Sequence, residues 1–144
     1  MSKQPVIFTQ NISESIDEIL SLYSYDKLFV LTDRNTFKFA FPLLANSKLC
    51  SNAEQIIIEA DDTHKNLEAL TSVWKILSDK HATRCSFMIN LGGGMVTDLG
   101  GFAASTFKRG IRYTNIPTTL LGAVDAAVGG KTGINFNGLK NEIG

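Results

Sequence analysis

The sequence is poor in cysteine, in net charge and in long apolar runs, and each shortage removes a class of explanation. Only two cysteines occur in 144 residues, Cys50 and Cys85. They have neither a Cys-x-x-Cys nor a Cys–His spacing, so a disulfide framework or a cysteine metal site is not indicated, and reduced thiols are expected. Basic and acidic residues balance at 14 each. With no basic block longer than Lys108-Arg109, nothing speaks for a nucleic-acid or polyanion partner. No stretch approaches the roughly 18–20 apolar residues of a membrane span. The N-terminal MSKQPVIFTQ has no apolar core of signal-peptide length. A cytoplasmic location without a membrane partner is therefore the expectation.

What is present is a strand–helix alternation. A chain of this length suits one domain that can bury a core without staples. Apolar runs at 6–10, 27–33, 54–60, 85–91 and 111–117 read as strands. Asn11 with Glu14 reads as a capping pair for a helix to about Leu22, with Ile12, Ile16, Ile19 and Leu20 on one face. Residues 63–82 place Leu67, Leu70, Val73, Trp74 and Leu77 at helical spacing, and 94–107 read as a helix of small residues. Residues 35–45 carry a short helix that ends before Pro42 or is interrupted by it, and 118–130 a helix or tight loop. Short buried strands between helices predict a Rossmann-like parallel α/β sheet with helices on both faces. Ligands of such sheets bind beyond the carboxyl ends of the strands. The tail INFNGLKNEIG reads as an unfinished element.

Glycine is not scarce, and its placing is pointed: LGGGMVTDLGG, residues 91–101, puts three glycines between a strand and a helix. Bare backbone at a helix N-terminus is a seat for a phosphate or pyrophosphate, whereas a close strand–helix connection needs fewer glycines. Gly100-Gly101, inside the helix, reads as close packing on the sheet. The run is no Rossmann fingerprint, because Thr97 stands where G-x-G-x-x-G needs its last glycine. Nor is GGKTG a Walker A loop, since Asp125 occupies the first glycine position. Asp33 and Asn35 follow the second strand, and Asp33 suits either a ribose diol or a helix N-cap. Asp98 sits in the first turns of its helix, where the macrodipole alone accounts for an acid. Asp125, in the apolar AVDAAVGG, calls for a partner or ligand. Lys131, Lys140 and Asn141 form a polar cluster; His64 and His81 have no ligand spacing and belong on the surface.

Three signatures in order, GGGMVTDLGGFAASTFKRG, NIPTTLLGAVDAAVGGKTGIN and LKNEIG, resemble 3-dehydroquinate synthase, of the sugar phosphate cyclases. The likeness is dense from Leu91 to Gly144 and looser through Thr32-Asp33-Arg34-Asn35 and Asp62-Thr-His-Lys65. It implies that 1–144 is one NAD-binding domain, a fragment of a larger two-domain enzyme whose helical second domain is absent from this chain. The implied reaction is a lyase step of the shikimate pathway of aromatic amino acid biosynthesis. It cyclises DAHP to 3-dehydroquinate with loss of phosphate, using NAD and a zinc or cobalt ion.

The resemblance also implies roles. Gly93, Gly94 and Met95 hold the NAD pyrophosphate, Asp33 and Asn35 its adenosine ribose, and Asp62 and Lys65 a further contact. Thr118, Thr119 and Leu121 are cofactor contacts. Asp98, Asp125, Lys131 and Lys140 surround the nicotinamide, with Asp125 and Lys131 also reaching substrate. Asn141 holds the substrate phosphate. Arg109 reaches the phosphate in a neighbouring subunit, which implies a homodimer. Asp62 stands where the family usually has glutamate, and Ala126-Ala127 where it has paired serines. The family's metal ligands, a glutamate and two histidines, lie in the second domain, so no metal site and no DAHP turnover are expected of this chain by itself. Three other readings share some features: an inosose-type cyclase, an iron-type alcohol or glycerol dehydrogenase with a similar glycine turn, and a non-catalytic nucleotide-binding module.

Overall fold

The computed structural model describes residues 4–144. Its centre is a four-stranded sheet of β1 (Leu28–Asp33), β2 (Glu54–Ile58), β3 (Phe87–Gly92) and β4 (Arg112–Pro117) in the order β2-β1-β3-β4. Every neighbouring pair is parallel. The two central strands β1 and β3 are buried along their whole length, as expected for a sheet covered on both faces.

Alternation along these strands divides the core in two. Phe29 and Leu31 of β1, with Ile56 and Met88, face α3 (Leu67–Asp79) and α4 (Gly94–Thr106), where Leu70, Val73, Leu77, Val96 and Leu99 close the layer. Leu28 and Val30, with Phe87, Ile89 and Leu91, face α1 (Ile12–Ser21), whose Ile16 and Leu20 meet them along with Leu44 and Cys50. Asn11 caps α1 by accepting from the Glu14 amide. Arg34–Phe39 form the short helix α2, and a 3-10 turn over Phe41–Leu44 begins at the residue before Pro42, which sits where its missing N–H costs nothing.

Three expectations are corrected. Residues 6–10 form no strand: Val6 and Ile7 are 56% exposed and Phe8 94%, and Gln4 bonds the main chain of Ala127 and Gly129 outside the ladder. The helix expected from residue 63 starts at Leu67, because two side chains cap in succession. Asp61 accepts from the Thr63 amide over a 3-10 turn, and Asn66 accepts from the Ala69 amide to start α3. The tail is a finished hairpin, β5 (Ile134–Phe136) and β6 (Leu139–Ile143). Its Asn137-Gly138 corner has φ of 51° and 76°, the paired left-handed angles that Asn-Gly adopts in a two-residue hairpin.

Candidate functional site

Strand order reverses between β1 and β3. The chain runs outward from β1 to β2, then returns to place β3 on the other side of β1 and β4 beyond it. Such a switch point leaves a crevice at the carboxyl ends of the strands. Asp33 ends β1 on one side of it, and Gly92 ends β3 on the other. Pro117 is the ladder partner of Gly92, and the Thr118 amide donates to the Gly92 carbonyl at 2.9 Å. The stretches that begin at Asp33, Gly93 and Thr118 are therefore gathered at one end of the sheet.

The first i→i−4 bond of α4 runs from the Thr97 amide to the Gly93 carbonyl, and no side chain caps the helix. The amides of Gly94, Met95 and Val96 thus point out of the helix without intrahelical partners. Gly93, Gly94 and Met95 are half-exposed there. The glycines also serve packing. A Cβ on Gly92 would lie 2.5 Å from Val96, one on Gly93 3.1 Å from Thr119, and one on Gly94 3.2 Å from the Ala126 methyl. None of the three has a positive φ, so close approach and not backbone conformation is what selects glycine here. Gly100 and Gly101 pack as expected: a Cβ on Gly100 would sit 2.2 Å from Asn90 Oδ1, and one on Gly101 2.7 Å from Thr132.

Asp33 is in use as a cap. Its Oδ1 accepts from the Thr36 amide at 2.8 Å, its own amide donates to Thr36 Oγ1, and it is 9% exposed. Asn35, exposed on α2, lines a cavity of about 520 Å³ with Thr118, Pro117, Leu91, Phe39 and Leu43. Next to the crevice, Arg34 and Glu59 pair at 2.6 Å, and the hydrogen bond from Arg34 holds the Glu59 carboxyl below its usual range.

A charged cluster lies on the α3–α4 side. Lys65 is almost fully buried and donates to Asp98 Oδ2 at 3.1 Å and to Asn141 Oδ1. Asp62 is 3.9 Å from Lys65 and 3.3 Å from Lys140. Four expected residues from distant parts of the chain thus converge with Asn141. Asn135 is the residue that sequence reasoning missed. Its amide donates to the Lys65 carbonyl at 2.7 Å, its Nδ2 to the Asp62 carbonyl, and its Oδ1 accepts from the Asn141 amide. The signal was the Asn-Gly pair between Ile134-x-Phe136 and Leu139, which specifies a hairpin and so a fixed register for Asn135.

The third part is the segment after β4. Thr119 Oγ1 accepts from the Gly122 amide, ahead of a π-helical turn at Gly122–Ala126. Thr118, Thr119 and Leu121 are exposed. Asp125 is not in apolar surroundings as its sequence context suggested: Ala123 and Val124 are exposed, Val124 at 66%, and Asp125 pairs with the equally exposed Lys131. Arg109 is not brought to this end. It lies in the Lys108-Arg109-Gly110 turn, all three at positive φ, past the far end of α4. His64 and His81 are exposed. Among the described residues no three His, Cys, Asp or Glu side chains are grouped to hold a metal ion. A metal of the kind the resemblance implies does not fit the donors present. Among the described residues no helix is long and apolar enough to cross a membrane.

Residues 55–144 match the family model for the N-terminal part of 3-dehydroquinate synthase. The chain belongs to the 3-dehydroquinate synthase family. A 3-dehydroquinate synthase of Parabacteroides distasonis is 52% identical over all 144 residues, which span 41% of its length. The chain thus covers about two fifths of that relative. The 2-epi-5-epi-valiolone synthase of Streptomyces hygroscopicus, solved with NAD+ and Zn2+, is 29% identical with a TM-score of 0.78, covering 100% of this chain and 41% of that one. A 2-deoxy-scyllo-inosose synthase shares the fold at a TM-score of 0.81 and 24% identity, over 92% of this chain and 37% of the other. The match to the family model includes the glycine turn and the Lys65 cluster, while Asp33 and Asn35 precede it.

Proposed function

We propose that the chain is the cofactor-holding part of a 3-dehydroquinate synthase, cyclising DAHP to 3-dehydroquinate with release of phosphate. The observation that carries this reading is the switch-point crevice, flanked by Asp33 and by the uncapped, half-exposed N-terminus of α4. Three outward amides at the positive end of a 13-residue helix suit a diphosphate. NAD fits there. Gly93, Gly94 and Met95 would bind its pyrophosphate through the main chain, and Asp33 and Asn35 its adenosine ribose. Thr118, Thr119 and Leu121 would line its path, with Asp62, Lys65, Asp98, Asp125, Lys131 and Lys140 around its far half. Bound NAD supplies a hydride acceptor. The NAD+ in the valiolone synthase structure supports this assignment.

The residues of this chain bind and orient. Lys131, exposed and paired with Asp125, can leave that carboxylate for a substrate oxygen at little cost. Asn141 and the adjoining Lys140 offer donors to a phosphate that must be held and released. The metal belongs to the rest of the enzyme in this reading. Arg109, far from its own crevice, suits a site in a second subunit and therefore a homodimer. A cytoplasmic location completes the reading.

Calorimetric titration with NAD and with ADP-ribose is the direct test. Both should bind this chain, and Gly94→Val should abolish binding. Absence of heat with either ligand would overturn the assignment. With zinc or cobalt, DAHP should yield phosphate only when the full family length is present; glucose 6-phosphate turnover instead would move the reading to an inosose-type cyclase.

A further inference from the structure

The bonds around Lys65 do more than tie the hairpin down. An asparagine amide has two unlike ends, an oxygen that accepts and a nitrogen that donates. Lys65 Nζ lies 2.5 Å from the Asn141 side-chain oxygen. An ammonium only donates, so the oxygen end must face it whatever the assignment of the two amide atoms. The main chain of Asn141 is fixed as well, at a φ of 53° and with its N–H on Asn135 Oδ1 at 3.0 Å. Asn135 in turn bonds the Lys65 carbonyl at 2.7 Å, closing a loop of contacts between the hairpin and residues 62–65. Asp98 Oδ2, 3.1 Å from Nζ, holds Lys65 as well. Asn141 itself stays exposed. The end left for a ligand is its NH2 group.

We infer that Lys65 is a positioning residue: by taking the carbonyl end of Asn141 it turns that side chain into a donor only, aimed at an anionic phosphate oxygen. The inference rests on the reading of Asn141 as a phosphate ligand. A free asparagine could donate to the phosphate too, but only after giving up its other side-chain orientations. Lys65 removes those orientations before the ligand arrives.

The test is titration of the isotopically labelled chain with inorganic phosphate, followed at the Asn141 side-chain amide by NMR. The amide should shift as phosphate binds. Lys65→Met should weaken phosphate binding about tenfold, the scale of one charge-assisted hydrogen bond. Lys65→Gln should do the same with less disruption, because glutamine can face either amide end. Lys65→Arg, again a donor only, should restore binding to within about twofold. Unchanged affinity in the Met or Gln variant would overturn the positioning role while leaving the phosphate reading intact. No response in the unaltered chain would overturn both, and NAD titration would then show whether the cofactor reading survives separately. Should the variants fail to fold, the unaltered chain still decides. A through-space contact between the Lys65 Hε protons and the Asn141 NH2 protons, stronger than any to its Hβ protons, would mean that the amide is turned the other way.

Discussion

The sheet and the segment that follows it are built by opposite rules. In β1 and β3 every residue is buried. After Pro117 only Ile134 and Ala127 among the apolar side chains are buried, while Leu120 is 80% and Leu121 70% exposed, and the charges pair at the surface. The sheet's interactions are made by the fold for the fold. Those of the 118–144 segment leave groups exposed. The contrast teaches that position and chemistry are separated in this chain: the strands aim their carboxyl ends, and the segments beyond those ends carry the polar side chains.

The contrast is sharpest where substitution hurts folding most. Leu99→Ala removes a side chain with no exposure, packed between α4 and the sheet, and should cost about 3 kcal/mol in urea denaturation. An equal cost at Leu121 would erase the distinction. Next comes Gly100→Ala. Its new methyl would overlap Asn90 Oδ1 at 2.2 Å and Leu31 at 2.7 Å, and Asn90 is held by a 2.9 Å bond to Asn115. About 2 kcal/mol should be lost, because helix and sheet must separate.

The amino end of the sheet offers a polar comparison. There Asp26 accepts from Thr83 and Ser86, which join the starts of β1 and β3. The Thr83 hydrogen bond, helped by Ser86 and opposed by burial, holds the Asp26 carboxyl below its ordinary 3.8. A depressed carboxyl stabilises the fold above its unfolded value and loses that contribution as pH falls through the folded one. Stability should therefore decline below about pH 3.8, and Thr83→Val with Ser86→Ala should flatten that decline. The effect should stay under about 1 kcal/mol, since the site is solvent-screened. Denaturation midpoints measured between pH 3 and pH 6 would check it, and an unchanged acid limb would deny these bonds a part in folding.

Most of the sheet was legible in the sequence because buried parallel strands are short apolar runs set between helical stretches. Residues 6–10 satisfied the same pattern and failed, since periodicity cannot say whether a neighbouring strand has an open edge. Asp33 was readable only as a choice between cap and ribose ligand, and its carboxylate caps α2. An apolar context in sequence is not an apolar environment at Asp125, because the π-helical turn leaves Val124 and Asp125 exposed. The Lys65 cluster was legible only through family resemblance. Its members are up to 76 residues apart, and no local rule brings Lys65 to Asn141. Asn135 does so, through the register set by the Asn137-Gly138 turn.

The smallest expected effect on stability is also the most discriminating. Lys131 and Asp125 pair with side chains 59% and 57% exposed, so Lys131→Ala should change stability by less than about 0.5 kcal/mol. If the segment beyond Pro117 exists to meet a ligand, the same substitution should weaken NAD binding several-fold, as loss of a polar contact to the cofactor would. Calorimetry and urea denaturation on the one variant give both numbers. A stable variant with weakened binding separates function from folding at a single residue. A stable variant with unaltered NAD affinity would make Lys131 an ordinary solvated lysine, and a destabilised one would mean that this segment helps to build the fold after all.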